Sequence, residues 1–129
     1  VSVDFAKVAG IPSDTFNNTN LITCFANDFG HDNWISEAIK AYTNKNDMVI
    51  LISSSGASKN IVNAASYCNE NNIPLLTLSG FKRDNPLSKL GDINFWIDSK
   101  AYNFVENTHQ VWLLTIVDLV IGKREYLPN

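Results

Sequence analysis

The chain has 129 residues, 45% of them hydrophobic and 18% charged, with a formal net charge of −3. That length suits one domain with a core of its own. Thirteen acidic residues against ten basic ones, with no basic run, exclude an electrostatic nucleic-acid footprint.

In chain order, residues 1–9 read as the end of a helix, and GIPSDTFNNTN at 10–20 as a loop of turn formers. LITCFA at 21–26 is a short apolar run that fits either a strand or a short helix. WISEAIKAYT at 34–43 places Ile35, Ala38, Ile39 and Tyr42 at helical spacing, with Asp32 or Asn33 available as a cap. DMVILIS at 47–53 is a continuous apolar run, the pattern of a strand buried on both faces in a parallel sheet. A helix over 58–71 follows, then IPLLTLS at 73–79 as a second buried strand. PLSKL at 86–90 allows a short helix, INFWID at 93–98 a third strand, and residues 103–121 a long helix. Strands alternating with helices imply βαβ units and an α/β fold with a parallel sheet. No repeat or linker interrupts it, so a single domain over 1–129 is expected.

The most apolar stretch, VWLLTIVDLVIG at 111–122, is too short to span a bilayer and contains Asp118. It reads as a core or subunit-interface helix, with Asp118 as a buried hydrogen-bonding group and no membrane partner. Cys24 and Cys68 match no metal spacing and no CxxC pattern. They read as two buried thiols in a reducing cytoplasm. No secretory signal is visible. The first residue is Val1, and VSVDFAK reads as the interior of a longer chain, so an N-terminal part of the natural protein is expected to be missing.

LISSSGASKN at 51–60 carries the strongest chemical signal. Ser53, Ser54, Ser55, Gly56, Ala57 and Ser58 lie between a buried strand and a helix, beyond the carboxyl end of the strand, where open α/β sheets bind ligands. A helix start offers unpaired N–H groups and a positive dipole end. Serine hydroxyls add donors, and Gly56 lets the backbone come close to a ligand. Neither GxxxxGK[ST] nor GxGxxG is present, so a single phosphate monoester fits better than a nucleotide. The competing reading is a serine-rich turn in which Ser58 simply caps the next helix.

ILISSSGASKNIVNAA resembles the phosphate loop of SIS (sugar isomerase) domains. CFANDFGHDNW resembles that family's NDYG-type segment, PLLTLSGF its second strand and Ser-Gly turn, and AYNFVENTHQVWLL its C-terminal helix. Their order is similar to the phosphoheptose isomerase branch, which acts on sedoheptulose 7-phosphate. The resemblance implies a three-layer sandwich with a central parallel sheet flanked by helices, its N-terminal helices missing here. It implies that Ser53, Ser54, Ser55 and Ser58 bind phosphate, that Asp28 and Asn103 contact the sugar, and that Asp4 falls on a carboxylate position. The family's glutamine and histidine on the long helix correspond here to Glu106 and Leu114, and a leucine neither transfers protons nor holds a metal. No metal or cofactor is therefore expected.

Aldose–ketose interconversion moves a proton between neighbouring carbons through an enediol and needs a base at carbon and a proton shuttle at oxygen. Glu106, His109 and Gln110 are three and four residues apart, so they share a helix face. Glu106 is the candidate carbon base, His109 the shuttle and Asp4 a second carboxylate. Alternatively His109 is a structural histidine against Trp112, Glu106 a solvated residue, and Asp4 a surface carboxylate. The function expected is a phosphosugar isomerase of the phosphoheptose kind in the cytoplasm. The alternative is a non-catalytic sugar-phosphate-binding or protein-interaction module on the same fold. The apolar surface of helix 103–121 predicts a homo-oligomer, a dimer or tetramer.

Overall fold

The structure is a computed structural model and describes residues 1–127. It contains two compact units, Phe16–Val105 and a second made of residues 1–15 with the chain from Glu106 onward. Each is described by itself.

The larger unit is built on three parallel strands, β1 (Val49–Ser53), β2 (Leu75–Ser79) and β3 (Ile93–Trp96), in the spatial order β1-β2-β3. Leu51 lies opposite Thr77 and Leu78 opposite Phe95. The fold is α/β, a parallel sheet flanked by helices, as the alternation of apolar runs predicts. The burial of the strands differs from expectation. Only β2, in the middle, is buried at every residue. β1 buries Val49, Leu51 and Ser53 but leaves Ile52 43% exposed, and β3 leaves Ile93 55% exposed. Both flanking strands are edges, so each lacks the cover that β2 has from strands on either side.

One core unites Ile35 and Ile39 of α3 (Trp34–Tyr42), Ala64, Ala65 and Cys68 of α4 (Lys59–Glu70), and Val49, Leu51, Leu75 and Leu87. The small residues of α4 let that helix lie close to the sheet. Burial pushes the Cys68 thiol up to about 11 from an ordinary 9.0, with the Asp92 carboxylate adding to it. The raised value means that the folded state holds the proton more tightly. The resulting stability is complete below the unfolded value and is lost as pH rises through the folded one. Cys24, in contrast, is exposed on α2 (Thr19–Phe29), which corrects the expectation of two buried thiols. A thiol reagent at pH 8 should modify Cys24 and leave Cys68 untouched until the protein is denatured. Peptide mass spectrometry checks this, and equal labelling of both in the folded protein would contradict it.

LITCFA is helical, as part of α2. Its start is fixed by Asn18, whose side-chain oxygen accepts from Asn20 N (2.9 Å) and Leu21 N (3.3 Å). Its end is fixed by Gly30 at φ +81°. Asn33 stands at the cap position of α3 without capping it; its amide donates to Phe29 O (3.2 Å) and accepts from Asn63 (3.1 Å).

The second unit contains α1 (Ser2–Lys7) and the chain from Glu106, which includes all but the first turn of α5 (Tyr102–Ile121). Val105, His109, Leu113 and Val117 form the buried row of that helix at i, i+4 spacing. Tyr102, Phe104, Val111, Leu119 and Val120 are exposed. Asp118 is half-buried and closes the helix end: its carboxylate accepts from Glu125 N (3.3 Å) and its carbonyl from Lys123 N (3.2 Å). Gly122 at φ +71° makes that reversal possible. Among the described residues, no helix is long and apolar enough to cross a membrane.

Candidate sugar-phosphate site

β1 ends at Ser53, which is buried, and the chain turns through Ser54–Ser58 into α4. Gly56 N donates to Ser53 O (3.0 Å) and Ala57 N to Ser55 Oγ (3.3 Å), which folds the turn on itself. Ser58 is the N-cap residue of α4, yet its hydroxyl makes no capping bond. It lies 3.2 Å from Ser53 Oγ, where either oxygen can donate. The simple capping reading of Ser58 is therefore not what forms. Within the first turn of α4, Ile61 N donates to Asn60 Oδ1 (2.9 Å), and the Ser53–Ser58 hydroxyl pair sits at the helix start. Such a cluster of neutral donors at a positive helix end suits one phosphate monoester. Lys59 supplies the nearby cation, 3.8 Å from Asp32 on the exposed surface.

A second turn, from Gly80 to the 3-10 turn Leu87–Lys89, is laced to the first. Gly80 N donates to Ser54 O (2.9 Å) and Leu87 N to Gly56 O (3.0 Å). Gly80 has room for no side chain: a Cβ there would lie 2.7 Å from Val105 Cγ2 and 3.2 Å from Ser54 O. The first turn of α5 is thus packed across Gly80 from the serine turn. Asn103 sits on that first turn, and Phe81 meets Tyr102 edge-on at 5.0 Å. Asn85 is 3% exposed and lies against Gly56 of the serine turn. The signal that could have found it is Asn85-Pro86, a turn-initiating pair. Asp28 lies in the last turn of α2, where its carboxylate accepts from Asn27 Nδ2 (2.9 Å) and faces Cys24 Sγ at 3.7 Å. The Arg83 guanidinium lies 5.7 Å from the Trp96 ring centre.

The three proposed catalytic groups belong to the other unit. Asp4 of α1 accepts from the Tyr126 hydroxyl (2.8 Å). That bond holds its carboxyl below the ordinary range. Glu106 and Gln110 are exposed, whereas His109 is buried with its ring 5.9 Å from Trp112. The three share an arc of about 100° on α5 but differ in exposure, with Glu106 and Gln110 open and His109 in the buried row. Leu114 is half-buried. Among the described residues, no three His, Cys, Asp or Glu side chains cluster as metal ligands would.

A parallel α/β sheet with a serine-lined turn over a helix start defines the class of small α/β domains that bind ligands at the strand ends. The family model of the SIS domain matches residues 19–115, and the chain belongs to that family. The phosphoheptose isomerase of Fusobacterium nucleatum is 31% identical over 108 residues, 84% of this chain and 55% of that protein. A phosphoheptose isomerase structure from Neisseria gonorrhoeae superposes with a TM-score of 0.79 at 20% identity, covering 92% of this chain and 67% of the other. One from Francisella tularensis gives a TM-score of 0.76 at 21% identity, covering 84% and 58%. The chain spans a little over half the length of the curated relatives it matches.

Proposed function

We propose that the chain is one SIS domain of a phosphosugar isomerase that interconverts a ketose phosphate and an aldose phosphate of the sedoheptulose 7-phosphate type. The observation that carries this is the Ser53–Ser58 hydroxyl pair, turned into the serine turn instead of capping α4. The names of the relatives and the match from 19 to 115, which runs through both compact units, support it. Ser53, Ser54, Ser55 and Ser58 anchor the phosphate, and Asp28 and Asn103 contact the sugar hydroxyls. Binding the phosphate converts remote binding energy into alignment of the reacting carbons. Glu106, exposed on α5, takes the proton from carbon and Asp4 orients a hydroxyl, whereas His109, buried beside Trp112, takes the structural reading. The exposed apolar residues of α5, Phe104 and Leu119 among them, support a homo-oligomer, and a phosphorylated sugar substrate suits the cytoplasm.

A second reading, a sugar-phosphate-binding module without turnover, is favoured by one residue, Leu114, at the position where the isomerases carry a histidine. Glu106→Gln separates the two. An isomerase should lose about 100-fold or more in kcat, the usual worth of a positioned base, while keeping its affinity for sedoheptulose 7-phosphate. Unchanged turnover in that variant would remove Glu106 as the base. Binding with no turnover in the unmodified protein would establish the second reading.

A further inference from the structure

We propose that Asn85 is a positioning residue of the phosphate turn, its buried amide acting as the template on which the serine turn is shaped. This rests on the reading of that turn as a phosphate site. Asn85 Nδ2 donates to Lys82 O (2.8 Å), Ser79 Oγ (3.0 Å) and Gly80 O (3.4 Å), and Oδ1 accepts from Ser88 N (2.9 Å). Its main chain is held as well, with Asn85 N donating to Lys82 O (3.2 Å) and Asn85 O accepting from Ser88 Oγ (2.8 Å). Both ends of the amide are thus engaged, by the end of β2 and the loop after it, which fixes its plane.

That plane lies directly against the serine turn. A Cβ on Gly56 would fall 1.9 Å from Asn85 Oδ1 and 2.2 Å from Cγ, so the amide fills the space that any other residue at 56 would need. Gly56 at φ +63° is the residue whose backbone swings the chain from Ser55 toward Ser58. Its carbonyl is held by Leu87 N, two residues beyond Asn85 in the same loop. The loop after β2 therefore sets the shape of the loop after β1. The 3.2 Å approach of Ser53 Oγ to Ser58 Oγ, and with it the entry into α4, follows from where Asn85 holds Gly56. Asn85 itself is buried and need not touch the ligand.

Two variants test this. Asn85→Ala removes the template. Asn85→Asp keeps its size and its bond from Ser88 N, but turns a carboxylate oxygen toward the Gly80 and Lys82 carbonyls. It carries the test by itself if Asn85→Ala does not fold. Affinity for sedoheptulose 7-phosphate and for inorganic phosphate is measured well below each variant's Tm, so that loss of folded protein does not enter. Backbone amide resonances of Ser54–Ser58 are followed without ligand. A positioning role predicts affinity weaker by about 10-fold or more for both ligands, with those resonances shifted. A merely structural role lowers Tm and leaves both readouts alone; affinity within about 2-fold of the unmodified protein overturns the assignment. If the unmodified protein binds neither ligand, the phosphate reading of the turn fails first, and Asn85 with it.

Discussion

Replacing Ser53 and Ser55 together by alanine should abolish measurable binding of sedoheptulose 7-phosphate while leaving the fold intact. Ser53 closes β1 with its hydroxyl 3.2 Å from Ser58 Oγ, and Ser55 lies in the turn with its oxygen accepting from Ala57 N. A hydrogen bond to a charged group is worth about 1.5–3 kcal/mol. Losing two should weaken binding by roughly 100-fold to 10,000-fold. The structural cost is small, because Ser58 is exposed and water replaces its lost partner, and Ser55 is only half-buried. Calorimetric titration alongside a thermal melt checks both halves. A melt near that of the unmodified protein, with affinity changed by less than about 10-fold, would remove the serine hydroxyls from the site.

Gly56→Ala should be the most damaging single change in the turn. Two costs add. Alanine at φ +63° pays about 1–2 kcal/mol for a left-handed backbone. Its methyl group would lie 1.9 Å from Asn85 Oδ1 and 2.8 Å from Asn85 Cβ, so the buried amide must leave its place. Each polar group left unsatisfied by that move costs about 1–3 kcal/mol. The sum, roughly 3–5 kcal/mol, corresponds to a fall in Tm of about 10 °C or more for a domain of this size. Phosphate affinity should fall with it, since the residue that bends the serine turn has changed conformation. A Tm within about 2 °C of the unmodified protein would mean that neither the backbone angle nor the packing against Asn85 constrains the turn.

The parts of this arrangement that the sequence reveals are those with a local cause. The apolar runs at 47–53 and 73–79 ended in hydroxyls and were followed by helical spacing, which places the serine turn at the strand ends. The helices α3 and α4 follow from Ile35, Ala38 and Ile39 and from Ile61, Val62, Ala65 and Cys68 at helical intervals. The parts that were hidden depend on partners distant in sequence. LITCFA is too short for its period to decide between helix and strand, and only the Asn18 cap settles it. Cys24 has the composition of a buried residue, but α2 buries none of its side chains fully. His109 and Glu106 are three residues apart, about 60° around the helix. That angle is enough to carry one into the buried row and leave the other open. Asn85 is invisible as a template because its partners Ser79, Gly80 and Gly56 come together only when two loops meet.

As proposed, this domain serves an enzyme that moves a proton between neighbouring carbons of a phosphorylated sugar. Incubating the full-length protein with sedoheptulose 7-phosphate in D2O, and following deuterium at C1 and C2 by NMR, tests it most directly. An isomerase should take up deuterium from solvent as an aldose phosphate appears. Binding of the sugar phosphate with neither uptake nor product would contradict it and leave a sugar-phosphate-binding SIS module in its place.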